Sequence, residues 1–329
     1  MRAQPTDLVA LRKAAGALLI DGFFRGGSKL ARLHPRARPE THGVRVERDV
    51  AYAATGAHHH LLDVYAPAPD HPARARGPLP IVLYVHGGGF RILSKDSHWI
   101  MGLSFARRGY LVFVVNYRLA PAHPFPAALE DCADAYAWVV ENAARWGGDL
   151  DRLVLAGESA GANLVSSLAI AATFERPEPY ARAVFATGRV PRAVAAACGI
   201  LQVSDTARLG RRRALSQFLS DRLHEVERAY LETSTSSDQT LADPLVVLEG
   251  DEAPARPLPP MFLPCGTKDP LLDDTRRMGA ALARRGVTGE VRIYPGEVHA
   301  FHAFVWRPAA KRCWRDTFAF LDAHVGPPV

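Results

Sequence analysis

The stretch Arg152-Leu153-Val154-Leu155-Ala156-Gly157-Glu158-Ser159-Ala160-Gly161 decides the fold of this chain. Its first half is apolar and has the composition of a buried β-strand, whereas the residues from Ala160 onward have the spacing of an α-helix. The serine between them falls on a sharp strand-to-helix turn, where glycines on both sides relieve steric crowding. Such a serine is presented at the end of a strand and can act as a nucleophile, although a serine that only caps the helix gives the same local pattern.

Strand and helix patterns alternate along most of the chain. Buried strands are predicted at residues 81–85, 111–115, 153–156 and 261–264, and helices at residues 127–145, 160–172, 275–285 and 309–324. This alternation predicts an α/β fold with a mostly parallel central sheet and helices on both faces. Residues 1–45 and about 203–245 lack strand signals, so we expect them to form two segments of a helical cap over a sheet domain of residues 46–329.

The composition is that of a globular protein with a large core. Hydrophobic residues make up 48% and charged residues 22% of the 329 residues, so the chain needs no disulfide bonds to fold. The cysteines are far apart and lack the spacing of metal ligands, which predicts four reduced, mostly buried thiols. They are Cys132, Cys198, Cys265 and Cys313.

The charge pattern and the N-terminal segment argue against two classes of partner. The net charge of +6 is spread along the chain, and the densest basic run, residues 211–213, has no aromatic residues alternating with it. No nucleic-acid partner is therefore expected. The apolar segment at residues 8–24 is short and interrupted by charges, so we expect neither secretion nor stable membrane insertion, and a cytoplasmic location.

A glycine-rich loop, His86-Gly87-Gly88-Gly89-Phe90, directly follows the predicted strand at residues 81–85. Glycines allow backbone N–H groups to approach a ligand oxygen, and two such donors are what the oxyanion of a tetrahedral intermediate needs. Glycines after a strand can also cradle phosphate, but no Gly-Lys-Ser/Thr sequence follows them. The loop is therefore predicted to form an oxyanion hole, with His86 bracing it by hydrogen bonding.

A serine nucleophile needs a base and an orienting acid, and after a turn of this type they follow in the order acid, histidine. Asp269 follows the predicted strand at residues 261–264, and His299 follows another at residues 290–294. Both loops leave the carboxyl ends of strands. They are therefore expected to reach the same edge of the sheet as Ser159.

Neighbouring polar residues have competing interpretations. Asp273 could replace Asp269 as the acid, and His302 could replace His299 as the base, because each pair follows the same strand. The run His58-His59-His60 offers metal ligands, but adjacent side chains of a strand point to opposite faces. A polar hairpin is therefore favoured there, and no metal site is predicted.

Together these motifs resemble the hormone-sensitive-lipase-like family of carboxylesterases, which belongs to the α/β-hydrolase superfamily. The resemblance covers residues 60–325 and includes residues 62–67 and 116–131. Within the latter run, Arg118 and Asp131 are expected to form a structural ion pair. The chain departs from the family pattern at four places: Glu158 instead of Asp, Ala300 instead of Gly, the stretch after Phe90, and an extra segment at residues 175–190.

Carried over residue by residue, the resemblance implies a complete serine-hydrolase site. The nucleophile, base and acid would be Ser159, His299 and Asp269. Backbone N–H groups would form the oxyanion hole, and two nearby side chains would contact the substrate. These residues are Gly87, Gly88 and Ala160 for the oxyanion hole, and Phe90 and Glu158 for the substrate.

The resemblance also implies an activity. It suggests hydrolysis of short- to medium-chain acyl esters through an acyl-serine intermediate, without a cofactor. The same site could serve a deacetylase, an amidase or a lactonase, and the same fold occurs as a non-catalytic small-molecule receptor when a triad residue is lost. The presence of His299 favours an enzyme. The expected partners are a small-molecule ester and, by resemblance, a second copy of the chain in a homodimer.

Overall fold

Among the described residues, the central sheet has eight strands, which are numbered along the chain and lie in the order β1-β2-β4-β3-β5-β6-β7-β8. The computed structural model describes residue 22 and residues 26–212, 214–232 and 240–327. Neighbouring strands are parallel except for the pairs β1/β2 and β2/β4, which are antiparallel. The predicted α/β fold with a mostly parallel sheet is confirmed. The strands are β1 (Val44–Ala51), β2 (Leu61–Pro67), β3 (Leu79–Val85), β4 (Leu111–Val115), β5 (Gly148–Glu158), β6 (Ala193–Ala197), β7 (Met261–Gly266) and β8 (Gly289–Tyr294).

Helices cover both faces of the sheet because the side chains of each buried strand alternate between two cores. In β3, Ile81, Leu83 and Val85 pack into one core, and Val82 and Tyr84 pack into the other. Strands buried on both faces consist of continuous apolar runs, which is why these runs were visible in the sequence.

The two cores are completed by different helices. The first core takes buried residues from every α-helix between residues 127 and 284, and the second takes them from the α-helices at residues 99–106 and 308–325. Residues 26–32 are also helical. The helices are α1 (Trp99–Ala106), α2 (Ala127–Asn142), α3 (Ala160–Thr173), α4 (Pro179–Ala186), α5 (Leu209–Arg212), α6 (Gln217–Leu231), α7 (Pro244–Glu249), α8 (Leu272–Arg284) and α9 (Pro308–Val325). Within the described ranges, none of them has the length and apolarity needed to cross a membrane.

Strands β1, β2 and β6 were not predicted from the sequence. β1 lies at an edge of the sheet and is largely exposed, so it has no continuous apolar run. β6 is rich in alanine, which favours helices in isolation, but it is fully buried between β5 and β7. Sheet pairing therefore overrides the local preference of this segment.

The run His58–His60 forms a 3-10 turn directly before β2. It lies in the connection between the antiparallel strands β1 and β2. This corrects the prediction in detail: a hairpin is present, but the histidines lie outside its strands.

The predicted cap segments are only partly described. Most of residues 1–45 lie outside the described residues, and β1 already begins at Val44. In the second segment, residues 213 and 233–239 also lie outside them, whereas α5 and α6 are described. α6 buries Leu223, Ala229 and Tyr230, and this anchors it to the sheet domain.

Strands β3, β5, β7 and β8 run parallel, so their carboxyl ends lie at one edge of the sheet. The glycine-rich loop follows β3, Ser159 follows β5, Asp269 follows β7, and His299 follows β8. Ligands of open α/β sheets bind at this edge. The topology therefore brings together four segments, of which the first and the last, at Gly87 and His299, are 212 residues apart in sequence.

Candidate active site

Ser159 occupies the turn between β5 and α3 in a strained backbone conformation, with φ 56° and ψ −117°. Its N–H donates to the carbonyl of Ala197 at 2.9 Å. The turn packs tightly against β3: a Cβ atom at Gly161 would lie 2.0 Å from the carbonyl oxygen of Val85, and one at Gly157 would lie 2.8 Å from the same atom. Both positions thus require glycine for close backbone approach.

Asp269 and His299 meet as the sequence predicted. His299 Nδ1 lies 2.9 Å from Asp269 Oδ2, and Asp269 also accepts the N–H of Leu271. Burial alone would lower the pKa of His299, but the nearby Asp269 carboxylate outweighs it and holds that pKa above its ordinary value. With Nδ1 bound to the carboxylate, Nε2 is the ring nitrogen left for a reacting group.

The two alternatives for acid and base lie elsewhere. Asp273 is in the first turn of α8, and it lines neither cavity at Ser159. His302 is buried against Phe301 and Trp314, and burial lowers the pKa of its imidazole to about 4. Among these four residues only His299 lines the cavities with Ser159, and the carboxylate bonded to it is that of Asp269.

The N–H of Gly87 donates to the Glu158 carboxylate, with 2.6 Å between N and Oε1. This corrects the prediction that Gly87 contributes to an oxyanion hole, because its donor already has a buried anionic acceptor. In the described part of the chain, no acceptor outside regular helix and strand bonding meets the N–H groups of Gly88, Gly89 and Ala160. Gly89, which the sequence interpretation left out, lines both cavities at Ser159.

Glu158 is the centre of a buried polar network that was missed in the sequence. Besides Gly87 N–H, its carboxylate accepts the Tyr84 hydroxyl and lies 2.7 Å from His98 Nε2. Burial would raise the pKa of Glu158, but the charge and hydrogen bond of His98 outweigh it and lower that pKa to about 2. Glu158 borders the catalytic cavity, yet its carboxylate is taken up by protein donors. The only feature of the sequence that pointed to this network was the glutamate at position 158, where the family pattern has aspartate.

Phe90 does not line either cavity at Ser159, which corrects its predicted contact with substrate. Its backbone has φ 59°, and its side chain is fully buried in the core. The ring stacks on Tyr230 of α6 with 3.7 Å between ring centroids. Phe90 therefore joins the glycine-rich loop to α6.

Other structural predictions for this region are confirmed. His86 Nδ1 lies 2.7 Å from the carbonyl of Gly87, and its ring stacks on Tyr117. Arg118 forms an ion pair with the buried Asp131 at 2.7 Å. These contacts hold the loop and the segment that follows β4 against the sheet.

One group in the described residues has the spacing of metal ligands: Cys198, Asp269 and His299, whose ligand atoms lie within 4.8 Å of one another. The acid and the imidazole are already bonded to each other. Burial raises the pKa of Cys198 well above its ordinary value, so this thiol stays protonated and is a poor metal ligand. All four cysteines are buried and free of disulfides, as predicted.

In the described part of the chain, Ser159 lines two cavities, with volumes of about 260 and 290 Å³. Both are lined by Gly89, Ser159, Val226 and His299. Much of the remaining wall is apolar. It comprises Ile92, Leu93, Ile100 and Met101 in the first cavity, and Ile200, Leu219, Leu223 and Leu271 in the second.

Known proteins with similar sequences and structures carry the same fold. A family model described as alpha/beta hydrolase fold matches residues 82–303. The chain is 33% identical over 236 residues to carboxylesterase NlhH of Mycobacterium tuberculosis, covering 71% of this chain and 70% of the relative. It is 31% identical over 259 residues to ethyl acetate hydrolase of Pseudomonas putida, covering 77% and 74%.

The crystal structure of esterase LipW from Mycobacterium marinum is also similar, with a TM-score of 0.73 and 28% sequence identity over 95% of this chain and 90% of that chain. The chain is thus similar to esterases both in sequence and in three-dimensional structure. It belongs to the hormone-sensitive-lipase-like carboxylesterases of the α/β-hydrolase superfamily.

Proposed function

We propose that the protein is a serine carboxylesterase that hydrolyses short- to medium-chain acyl esters through an acyl intermediate on Ser159. The observation that carries this proposal is the 2.9 Å bond between Asp269 and His299, combined with the position of His299 beside Ser159 in both cavities. The acid therefore orients the base, and the base lies beside the nucleophile, as ester hydrolysis by a serine requires.

In the acylation step, His299 Nε2 accepts the hydroxyl proton as Ser159 Oγ attacks the ester carbonyl. Asp269 holds the imidazole through Nδ1 and stabilises its cationic form. The carbonyl oxygen becomes an anion and is held by the N–H groups of Gly88, Gly89 and Ala160. Ala160 is the first residue of α3, whose dipole also favours negative charge there. Each such donor contributes about 10²- to 10³-fold to the rate.

Acylation is completed when the bond between the carbonyl carbon and the alcohol oxygen breaks and the imidazolium of His299 donates its proton to the departing alcohol. Water then takes the place of the alcohol, gives a proton to His299, and attacks the acyl carbon through the same oxyanion site. The acid product leaves and Ser159 regains its proton. Every proton in this cycle is carried by His299, so the chemistry requires no cofactor.

The size of the cavities supports the proposed range of substrates. Their volumes of about 260 and 290 Å³ are near the lower limit for small-molecule sites. Val226 of α6 lies in the wall of both, and Leu219 and Leu223 close the second. We propose that α6 acts as a cap that limits chain length. A series of p-nitrophenyl esters from acetate to laurate should show kcat/KM rising to the middle of the series and falling at its end.

The nucleophile is tested with Ser159→Ala. This variant should lose hydrolysis of p-nitrophenyl butyrate and labelling by a fluorophosphonate probe, because the probe reacts only with an activated serine. Ser204→Ala is the matched control, since Ser204 is exposed and lines neither cavity. A wild-type protein that stays unlabelled and inactive would contradict the proposal and favour a non-catalytic receptor. Rates on matched p-nitrophenyl esters and anilides separate an esterase from an amidase.

A further inference from the structure

The catalytic cavity between the glycine-rich loop and α6 is lined by two arginines from different parts of the fold. Arg91 directly follows the glycine-rich loop, in the stretch that departs from the family pattern, and Arg222 lies on the cap helix α6. Both line the same cavity as Ser159. Two cations thus lie beside the reacting group in a cavity whose other walls are mainly apolar.

A single carboxylate holds both arginines. Glu225 lies 2.8 Å from Arg91 Nη2 through one oxygen and 2.7 Å from Arg222 Nη1 through the other. Their side chains are only 20% and 12% exposed, and that of Glu225 is 9% exposed. This bridge explains how α6 is held to the loop, but one carboxylate neutralises only one of the two guanidinium groups.

The other charged groups that line this cavity are already paired. His98 lies 2.7 Å from Glu158, and His299 is bonded to Asp269. One positive charge of the arginine pair is therefore left without a counterion among the described residues that line the cavity. The arginines are also short of acceptors, since the buried Nε atoms of Arg91 and Arg222 have no hydrogen-bond partner in the described part of the chain. Arg222 Nη1 lies at ion-pair distance from Glu225 Oε2 but does not form a hydrogen bond with it.

An excess cation at a largely buried position is costly unless an anion meets it. A guanidinium presents donors in a fork that matches a carboxylate. We propose that the preferred substrates of this site are esters that carry a carboxylate at some distance from the scissile bond, bound by the guanidinium groups of Arg91 and Arg222. This inference rests on the proposed esterase function and names its substrate class. The carboxylate can belong to the acyl part, as in a half-ester of a dicarboxylic acid, or to the alcohol part, as in an acylated hydroxy acid.

The test compares charged and neutral esters of nearly equal shape. The acyl pair is mono-(4-nitrophenyl) adipate and its methyl diester, and the alcohol pair is 4-acetoxybutanoate and its methyl ester. Wild-type enzyme should favour the charged member of one pair by about 10-fold or more in kcat/KM, the factor that one charge-assisted hydrogen bond supplies. The pair that shows the preference identifies the part of the substrate that carries the anion.

Three variants should differ in their effect on the ratio of kcat/KM for the charged ester to kcat/KM for the neutral ester. Arg222→Gln should remove most of the preference. Glu225→Gln should increase it, because the competing carboxylate is gone while both cations remain. Arg228→Gln, which removes an exposed charge from the same helix, should leave it unchanged.

The inference fails if wild-type enzyme hydrolyses the neutral esters at least as fast as the charged ones in both pairs. It also fails if Arg222→Gln and Arg228→Gln change the ratio equally. Because Glu225→Gln acts in the opposite direction to Arg222→Gln, a general loss of folding or activity cannot imitate the expected result. Hydrolysis of the neutral esters tests the proposed function separately: if it occurs without a charge preference, only the inference is lost, and if no ester is hydrolysed, the proposed function is lost with it.

Discussion

Replacing Gly87 by alanine tests how closely the glycine-rich loop must approach the nucleophile turn. A Cβ atom at this position would lie 2.8 Å from both the backbone oxygen and Oε1 of Glu158, and 3.2 Å from Cβ of Ser159. The backbone oxygen cannot rotate away, because Glu158 is the last residue of β5. The loop must therefore move by roughly half an ångström or more to reach an ordinary van der Waals distance.

That displacement moves the N–H groups of Gly88 and Gly89 away from the oxyanion position and strains the bond between Gly87 N–H and the carboxylate. A misplacement of about 1 Å in a catalytic site costs about 10²-fold, so a shift of about half that size should lower kcat of Gly87→Ala by about 10-fold, which is about 1.4 kcal/mol of barrier. KM should change little, because these donors act mainly on the transition state. Overpacking should also lower the free energy of unfolding by about 1–3 kcal/mol.

The assay combines steady-state hydrolysis of p-nitrophenyl butyrate with urea unfolding of the same preparation. Gly210→Ala in α5 is the matched control, because a Cβ there would meet no atom within 4 Å, and it should leave kcat unchanged. If Gly87→Ala keeps half or more of the wild-type kcat, the close approach of loop and turn does not govern the reaction, and the reasoning from the glycine contacts is refuted.

Three other perturbations follow from the geometry. The free energy of unfolding of Ser159→Gly should be about 1 kcal/mol higher than that of Ser159→Ala. A φ of 56° with ψ −117° strains any residue with a side chain by about 1–3 kcal/mol, and the greater chain entropy of glycine offsets part of this gain. Equal stability of the two variants in urea would show that the turn is unstrained. Asp269→Asn should lower kcat by about 10⁴-fold. Burial lowers the pKa of His299, but the Asp269 carboxylate outweighs it and raises that pKa above its ordinary value. Wild-type kcat/KM should therefore rise with pH through this raised pKa, and kcat/KM of Asp269→Asn through a lower one. If the rise occurs at the same pH in both proteins, Asp269 is not the acid that pairs with His299. Asp274→Asn should lower the free energy of unfolding by about 3 kcal/mol, because buried Asp274 lies 2.6 Å from Arg208 Nη2. A loss of less than about 1 kcal/mol in urea would mean that this ion pair does not anchor the predicted cap segment.

Local sequence patterns predicted the elements that carry the chemistry. The Gly-x-Ser-x-Gly turn follows a run of apolar residues, and that run is buried on both faces as part of β5. Asp269 and His299 were located because each follows a strand whose composition is visible in the sequence. β6 was missed because its alanines have no strand preference of their own, and only its neighbours in the sheet hold it extended.

The contacts of Gly87 and Phe90 could not be predicted in the same way. Gly87 N–H is bound by Glu158, and that carboxylate is held in turn by His98. Phe90 turns into the core through a positive φ and meets Tyr230, a residue 140 positions further along the chain. Both outcomes depend on partners that are distant in sequence, and local composition carries no information about them.

By itself, the sequence determined the fold class, the order of nucleophile, acid and base, and the glycines that lie beside the serine, because each depends on patterns within a few residues. Only the tertiary structure decided which carboxylate meets which imidazole, which backbone N–H groups remain open, and that Arg91 and Arg222 share Glu225 beside Ser159. A motif places a residue on a loop. The direction of its side chain is set by packing among elements that meet only when the sheet and the cap have formed.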